Sequence, residues 1–166
     1  MTLDLQPTLW GELIELRPLR PDDFPTLFKV ASDPLIWDQH PESDRYKEEV
    51  FRRFFDGALE SRGAFVVIDR ATGQMIGSSR YFGYDAGKSV VEIGWSFLAR
   101  AYWGGTHNGE MKRLMLENAF KSVERVIFII GEENRRSRRA VEKIGAVLTE
   151  DYAAREEKKV VYALTR

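Results

Sequence analysis

Two stretches of the chain hold residue types that could do chemistry. In the first, Glu92 sits within VVEIGW, and a loop follows that reads Trp103-Gly104-Gly105-Thr106-His107-Asn108-Gly109-Glu110. Glycines just ahead of a helix leave bare backbone at its N-terminus, where unpaired N–H groups and the helix dipole attract anions such as phosphates. The plain alternative for the same glycines is a tight turn between a strand and a helix. Gly104 and Gly109 have the separation of a nucleoside-triphosphate loop, but Glu110 stands where that loop requires lysine. The G-x-G-x-x-G spacing of a dinucleotide site is also missing. Glu92 is the first candidate for a general base, because a carboxylate among apolar strand neighbours has a raised pKa. The alternative is that it faces solvent or pairs with an arginine of a neighbouring strand such as Arg80. The second stretch is Asn134-Arg135-Arg136-Ser137 through Lys143-Ile144-Gly145-Ala146. Read locally, it is an N-cap, a helix and a glycine C-terminal cap.

Composition removes several other chemistries. The 166 residues have no cysteine, which excludes disulfides, thiolate metal sites and a cysteine nucleophile. His40 and His107 are the only histidines, too few for a histidine-rich metal site, so no metal is expected. A net charge of −1 gives no field to hold a polyanion, so nucleic acid is not an expected partner. The first residues, MTLDLQPTLWGELIEL, do not read as a secretory signal, and no run approaches 18 apolar residues. No membrane association is expected, and the cytoplasm is the expected location.

The elements that must position these residues are legible from periodicity. Residues 12–17 form a first strand closed by Pro18. Asp22 caps a helix through Ala31 that carries Phe24, Leu27, Phe28 and Ala31 on one face. A second helix follows Ser43 or Asp44, with Val50, Phe51, Phe54, Phe55 and Ala58 at helical spacing. Strands over 64–69 and 74–82 make a hairpin, and a turn at 85–87 leads into a strand over 90–98. After the glycine loop a helix spans 108–121 and faces inward through Met111, Leu114, Met115 and Ala119. The apolar run at 126–130 is expected to be a central strand buried on both faces. A helix over 134–145 and closing strands over 147–152 and 160–164 complete the chain. The order β-α-α-β-β-β-α-β-α-β-β predicts an α/β fold with one mixed central sheet flanked by helices, in one domain over 1–166.

This order and the two stretches together resemble the GNAT superfamily of acyl-CoA-dependent N-acetyltransferases. The branch near the ribosomal-protein N-terminal acetyltransferases carries E-I-G-W at a strand end and then Y-W-G-x-G-Y-A-T-E-A. Here Glu92-Ile93-Gly94-Trp95 matches, and Trp103, Gly104 and Glu110 fall in register. Thr106 replaces the second motif glycine and Asn108 the usual small residue, with Gly105 and Gly109 able to restore backbone freedom. The resemblance implies that the backbone of Gly104, Gly105, Thr106, His107, Asn108 and Gly109, beside Trp103, holds the coenzyme A pyrophosphate. It implies that the strand end at Phe97 and Leu98 pairs with the pantetheine arm. The segment from Asn134 resembles the family's N-x-x-S-x-x-x-x-x-K-x-G-F, which implies that Asn134 lies beside the coenzyme and Ser137 near its sulfur. Relatives use a tyrosine further along this helix as proton donor. Ala140 and Val141 occupy that region here, so Ser137 is the expected substitute. Of Arg135, Arg136, Arg138 and Arg139, one or two could contact the 3′-phosphate, with Lys112 and Arg113 as further candidates.

The implied activity is transfer of an acetyl group from acetyl-CoA to a primary amine, on a protein N-terminus or a small molecule. Direct attack requires the amine, with a pKa near ~10, to lose a proton, and the leaving thiolate, at roughly 8.5, needs less help. By the same analogy, the first two helices and the 85–88 loop build the acceptor pocket. Trp37, Asp38, His40, Tyr46 and Phe82 are candidates for its lining or for the core, and Asp38 could attract a cationic amine. Tyr102 and His107 are either proton shuttles or packing residues. The alternative to an enzyme is a non-catalytic acyl-CoA-binding or regulatory domain of the same fold. A purely structural module would bind no coenzyme. A homodimer would be unsurprising for such a family.

Overall fold

The computed structural model describes residues 2–150 and 158–166. A short strand β1 (Leu9–Trp10), not foreseen from the sequence, precedes β2 (Ile14–Pro18), helices α1 (Phe24–Ala31) and α2 (Glu48–Ser61), and strands β3 (Ala64–Asp69), β4 (Met75–Asp85) and β5 (Val90–Leu98). Helix α3 (His107–Ala119), β6 (Arg125–Gly131), α4 (Arg135–Lys143), β7 (Val147–Thr149) and β8 (Lys159–Thr165) follow. The strands form one sheet in the order β1-β2-β3-β4-β5-β6-β8-β7. Among the described residues only the β5–β6 pairing is parallel. The mixed α/β architecture matches the expectation; part of the expected 147–152 strand lies outside the described residues.

Each face of the sheet buries its own layer, because successive strand residues point to opposite sides. Phe65 and Val67 of β3 pack with Val91 and Ile93 of β5 against Met111, Met115 and Ala119 of α3 and Val141 of α4. Ala64 and Val66 face the other way, onto Leu27, Ala31, Phe51 and Phe55 of α1 and α2. Helix starts differ from the sequence reading. Asp22 does not cap α1: Pro21–Asp23 forms a 3-10 turn and Asp23 takes the N-cap position. The Asp23 carboxylate instead accepts both guanidinium ends of Arg17, at 2.9 and 2.8 Å, and the Arg20 N–H at 2.8 Å. Helix α2 begins at Glu48 rather than after Asp44, which leaves a long connection between the two helices.

The sheet opens between its two central strands. Parallel pairing of β5 and β6 is limited to Val90 with Arg125, Val91 with Val126 and Glu92 with Ile127. Beyond Glu92 the register of β5 against β4 slips: Arg80 pairs with Gly94, and Ser78 pairs with Phe97. The extra residue on β5 is a bulge, and Trp95 within it has φ of 53°. A bulge bends its strand. Here β5 stays on β4 and parts from β6, so Ile129 and Ile130 of β6 are only half-buried and border the gap. The expectation that 126–130 is covered on both faces along its whole length fails for this reason.

Candidate active site

The gap between β5 and β6 widens into a cleft of roughly 1820 Å³ that runs from the glycine loop to the connection between α1 and α2. Single drug-sized ligands occupy pockets of about 300–1,000 Å³, so this space can hold two substrates at once. Glu92, Gly94, Phe97, Leu98, Trp103, Gly104, Gly105, Thr106, Asn108, Gly109, Asn134 and Ser137 all line it. Of the residues expected at the glycine loop, His107 does not. Its ring packs edge-on to Tyr102 at 4.8 Å, and the Tyr102 hydroxyl donates to Asp69 at 2.6 Å. Both side chains are thus packing residues turned from the cleft.

At the loop end the cleft wall is mostly backbone. Gly104 has φ of +72°, a conformation that glycine adopts without a Cβ penalty. A β-carbon built at Gly104 or at Gly109 would meet no atom within 4 Å, so the backbone is open above both. The backbone bond at the head of α3 runs from Glu110 N–H to the Thr106 carbonyl at 3.0 Å. The N–H groups before Glu110 therefore have no intrahelical acceptor and remain available to an anion. Thr106 occupies the N-cap position but makes no side-chain capping bond. Glu110 borders the cleft, but its side chain is tied down: its carboxylate accepts the backbone N–H of Glu12 and, at 2.8 Å, of Leu13. Gly11 is needed there, because a β-carbon would collide with that carboxylate. Lys112, two residues further along α3, is buried and lines the cleft with its Nζ 5.9 Å from the Phe128 ring centre. Burial lowers its pKa to about 8.

Phe97 and Leu98 take part differently from the way their sequence suggests. The Phe97 ring is buried against Trp37 at 5.0 Å and Phe54 at 5.9 Å, and Leu98 belongs to the opposite core. What borders the cleft is the backbone edge that β5 no longer shares with β6. Trp103 closes the end of that edge, with its Nε1 donating to the Leu98 carbonyl at 2.9 Å. The Arg136 guanidinium stacks on the Trp103 ring at 4.0 Å and reaches across to the Ile36 carbonyl and Asp38, at 3.4 and 3.3 Å. Arg138 is turned to Tyr162 and the Glu132 carbonyl, while exposed Arg139 stands at the cleft margin. Asn134 caps α4 by accepting the Ser137 N–H at 3.3 Å, which seats Ser137 on the helix's first turn.

Glu92 stands where the strands begin to part. Its carboxylate lies over Gly94, where a β-carbon would come within 3.2 Å of it. Burial pushes its pKa up to about 7, against the opposing influence of Lys159 and Arg80. Beyond it lies the connection between α1 and α2. Trp37, His40, Pro41, Glu42 and Arg45 line the cleft, whereas Asp38, Tyr46, Phe82 and the 85–88 turn do not. Phe82 packs on Trp95 at 5.2 Å, and Asp38 is exposed and paired with Arg136. Pro41 sits on Gly131 at the end of β6, so closely that a β-carbon at 131 would lie 2.6 Å from it. His40 is neutral: burial, then Arg45 and Lys159, lower its pKa to about 3. Among the described residues no cluster of acidic and histidine side chains could hold a metal ion, and no helix is long and apolar enough to cross a membrane.

The sequence profile of the acetyltransferase (GNAT) domain matches residues 14–147. The chain belongs to the GNAT family. Solved structures share the fold at low identity. A GCN5-related N-acetyltransferase from Brucella melitensis superposes with a TM-score of 0.80 at 21% identity, covering 96% of this chain and 79% of that one. A GNAT-family acetyltransferase from Bacillus anthracis gives 0.76 at 22%, over 96% and 98%. Mycobacterium smegmatis RimJ, in complex with CoA-disulfide, gives 0.71 at 17%, over 96% and 87%. No curated protein matches the chain in sequence.

Proposed function

We propose that this GNAT protein is an acetyl-CoA-dependent N-acetyltransferase that acts, as one domain, on a primary amine. The observation that carries the reading is the meeting of three features at one gap. These are an unpaired strand edge beyond Glu92, an open glycine loop with free N–H groups, and a carboxyl whose pKa lies near neutrality. The residues present fit coenzyme A. Backbone N–H groups at 104–109 suit its pyrophosphate, the free edge of β5 over 94–98 suits the amide-bearing pantetheine arm, and Lys112 or Arg139 suits a phosphate. The shared fold of Mycobacterium smegmatis RimJ, whose structure holds CoA-disulfide, supports this assignment.

Bound acetyl-CoA supplies an electrophilic thioester carbonyl and a thiolate leaving group. Glu92 accepts the proton that the ammonium must shed before nitrogen can attack, a task suited to a carboxyl with a pKa of about 7. No enzyme nucleophile takes part, since the amine forms its bond to the acetyl carbon directly. Ser137, on the opposite wall, is the hydroxyl placed to return a proton to the sulfur.

A thermal-shift titration with acetyl-CoA, coenzyme A and ATP tests the binding half, because a ligand of the native state raises the melting temperature. A rise with both coenzyme forms and none with ATP is expected. Thiol release with an amine panel tests the transfer. Coenzyme binding without thiol release would favour the non-catalytic reading, and no shift at millimolar coenzyme would overturn both.

A further inference from the structure

Lys112 is a buried cation with no anion to hold. It is 6% exposed, and burial is what lowers its pKa to about 8, so it stays mostly an ammonium at neutral pH. Among the described residues it has no hydrogen-bond or ion-pair partner, and its neighbour is the Phe128 ring at 5.9 Å. The acids on the two adjoining helices are committed elsewhere. Glu110, two residues back on α3, accepts the N–H groups of Glu12 and Leu13, and Glu142 of α4 accepts the Tyr162 hydroxyl. Ile93, Phe128 and Val141, which line the cleft with Lys112, are apolar. An ammonium left in this way costs stability, and an anion bound in the cleft would offset that cost.

Phe128 fixes where in the cleft this charge lies. Glu92 with Ile127 is the last pair between β5 and β6, and Phe128 is the next residue of β6. Its ring packs with Val91 and Ile93 on the α3 face of the sheet. Glu92 lies between those two residues on β5 and so points to the opposite face. The carboxyl and the ammonium therefore flank the start of the gap from its two sides. The glycine loop lies past Leu98, beyond the far end of the free β5 edge, and Arg139 at the cleft margin remains the cation for a phosphate there.

On the coenzyme-binding reading, we infer that the Lys112 ammonium is a further catalytic group, which takes up the negative charge of the departing coenzyme sulfur on the face opposite Glu92. The ammonium substrate sheds two protons in all. One leaves through Glu92 and frees the nitrogen to bond to the acetyl carbon. As the carbon–sulfur bond breaks, its electron pair stays on sulfur, beside the charge of Lys112. The second proton ends on that sulfur, returned through Ser137. A thioester is neutral and a thiolate is not, so Lys112 gains an interaction during transfer that it lacks in the ground state.

Titration of the bound coenzyme thiol tests this without turnover, by carbon NMR of coenzyme A labelled at the methylene beside sulfur. The comparison is with Lys112→Met, which keeps the side chain's length and loses its charge. The bound thiol should titrate about one pKa unit or more lower in the wild-type complex than in the variant, the effect of a close opposite charge. Lys112→Gln should behave as Lys112→Met does, and both should melt no lower than the parent. With acetyl-CoA and an accepted amine, kcat should fall about tenfold or more with little change in KM for acetyl-CoA. The nucleotide half of coenzyme A, which has no thiol, should bind parent and variants equally. Equal thiol titration in parent and variants would overturn the inference and leave coenzyme binding intact. Weaker binding of the nucleotide half would overturn it too, by making Lys112 a phosphate ligand, and variants that melt well below the parent would make it a structural cation. A wild-type protein that binds no coenzyme would overturn the proposed function itself, and this inference with it.

Discussion

The two ends of the cleft are made of different material. The loop end is backbone: the head of α3, the left-handed Gly104 and the edge of β5 that β6 has left. The far end is side chain: Trp37, His40 and Arg45 of the connection between α1 and α2, with Lys159 of β8, and Arg45 is held by the Trp37 and Phe54 rings and by Glu42. A backbone site asks only for conformation, so Thr106 and Asn108 can stand at the loop positions without removing its N–H donors. A side-chain site asks for identity, so replacing one residue changes what it recognises. Glu92 stands at the boundary.

The comparison breaks most visibly at that boundary. Glu92→Gln should lower turnover by about 100-fold or more, the usual contribution of a general base, while the dissociation constant of coenzyme A stays unchanged. Loss of both together in kinetics and calorimetry would mean that the boundary is misplaced. In the wild-type protein kcat/KM should rise with pH and level off above about 7, as the carboxyl loses its proton. The same group makes a stability prediction. Its folded pKa is raised from an ordinary 4.5 to about 7, so the stabilisation is full below 4.5 and is lost as pH rises through 7. Urea unfolding of Glu92→Gln against wild type should therefore show the variant gaining on the parent between pH 4 and pH 8, by about 3 kcal/mol at most.

Smaller effects sharpen the contrast between the materials. Gly104→Ala puts a β-carbon on left-handed backbone, at a cost of about 1–2 kcal/mol. Its coenzyme affinity should fall roughly tenfold, the equivalent of ~1.4 kcal/mol, with kcat at saturation retained. A strong fall in kcat would show that the loop also sets the chemistry. Asn134→Ala removes a helix cap worth about 1 kcal/mol. A lower melting temperature with unchanged KM for acetyl-CoA would make Asn134 a positioning residue, and a raised KM would make it a contact.

Local pattern carried most of the fold. The apolar alternation of β3 and β5, the phenylalanines of α2 and the methionines of α3 each determine their own element, so they are legible without their neighbours. Glu92 stood out as a carboxylate among apolar strand residues, and Asn134 and Ser137 through the family resemblance of their segment; all three line the cleft. What was missed depends on distant partners. Arg45 lies in a polar stretch that reads as solvated, and only packing on Phe54 and Trp37 buries it. The stack of Arg136 on Trp103 joins α4 to the glycine loop, and no run of sequence contains it. The bulge at Trp95 hides within an ordinary strand pattern, because its cause is the pairing with β4. His107 was grouped with the loop by its position, while Tyr102 draws its ring away.

Glu110 bears on how freely such a loop could be repurposed by design. Converting it to lysine would supply the missing cation of a nucleoside-triphosphate loop, although Met111 would still stand where that loop requires serine or threonine. The new ammonium would then face the two N–H donors of residues 12 and 13 that the carboxylate now receives. Gly11, shaped to that carboxylate, would lose its counterpart. Redesign toward ATP would therefore have to begin not at the phosphate site but at the amino-terminal segment behind it.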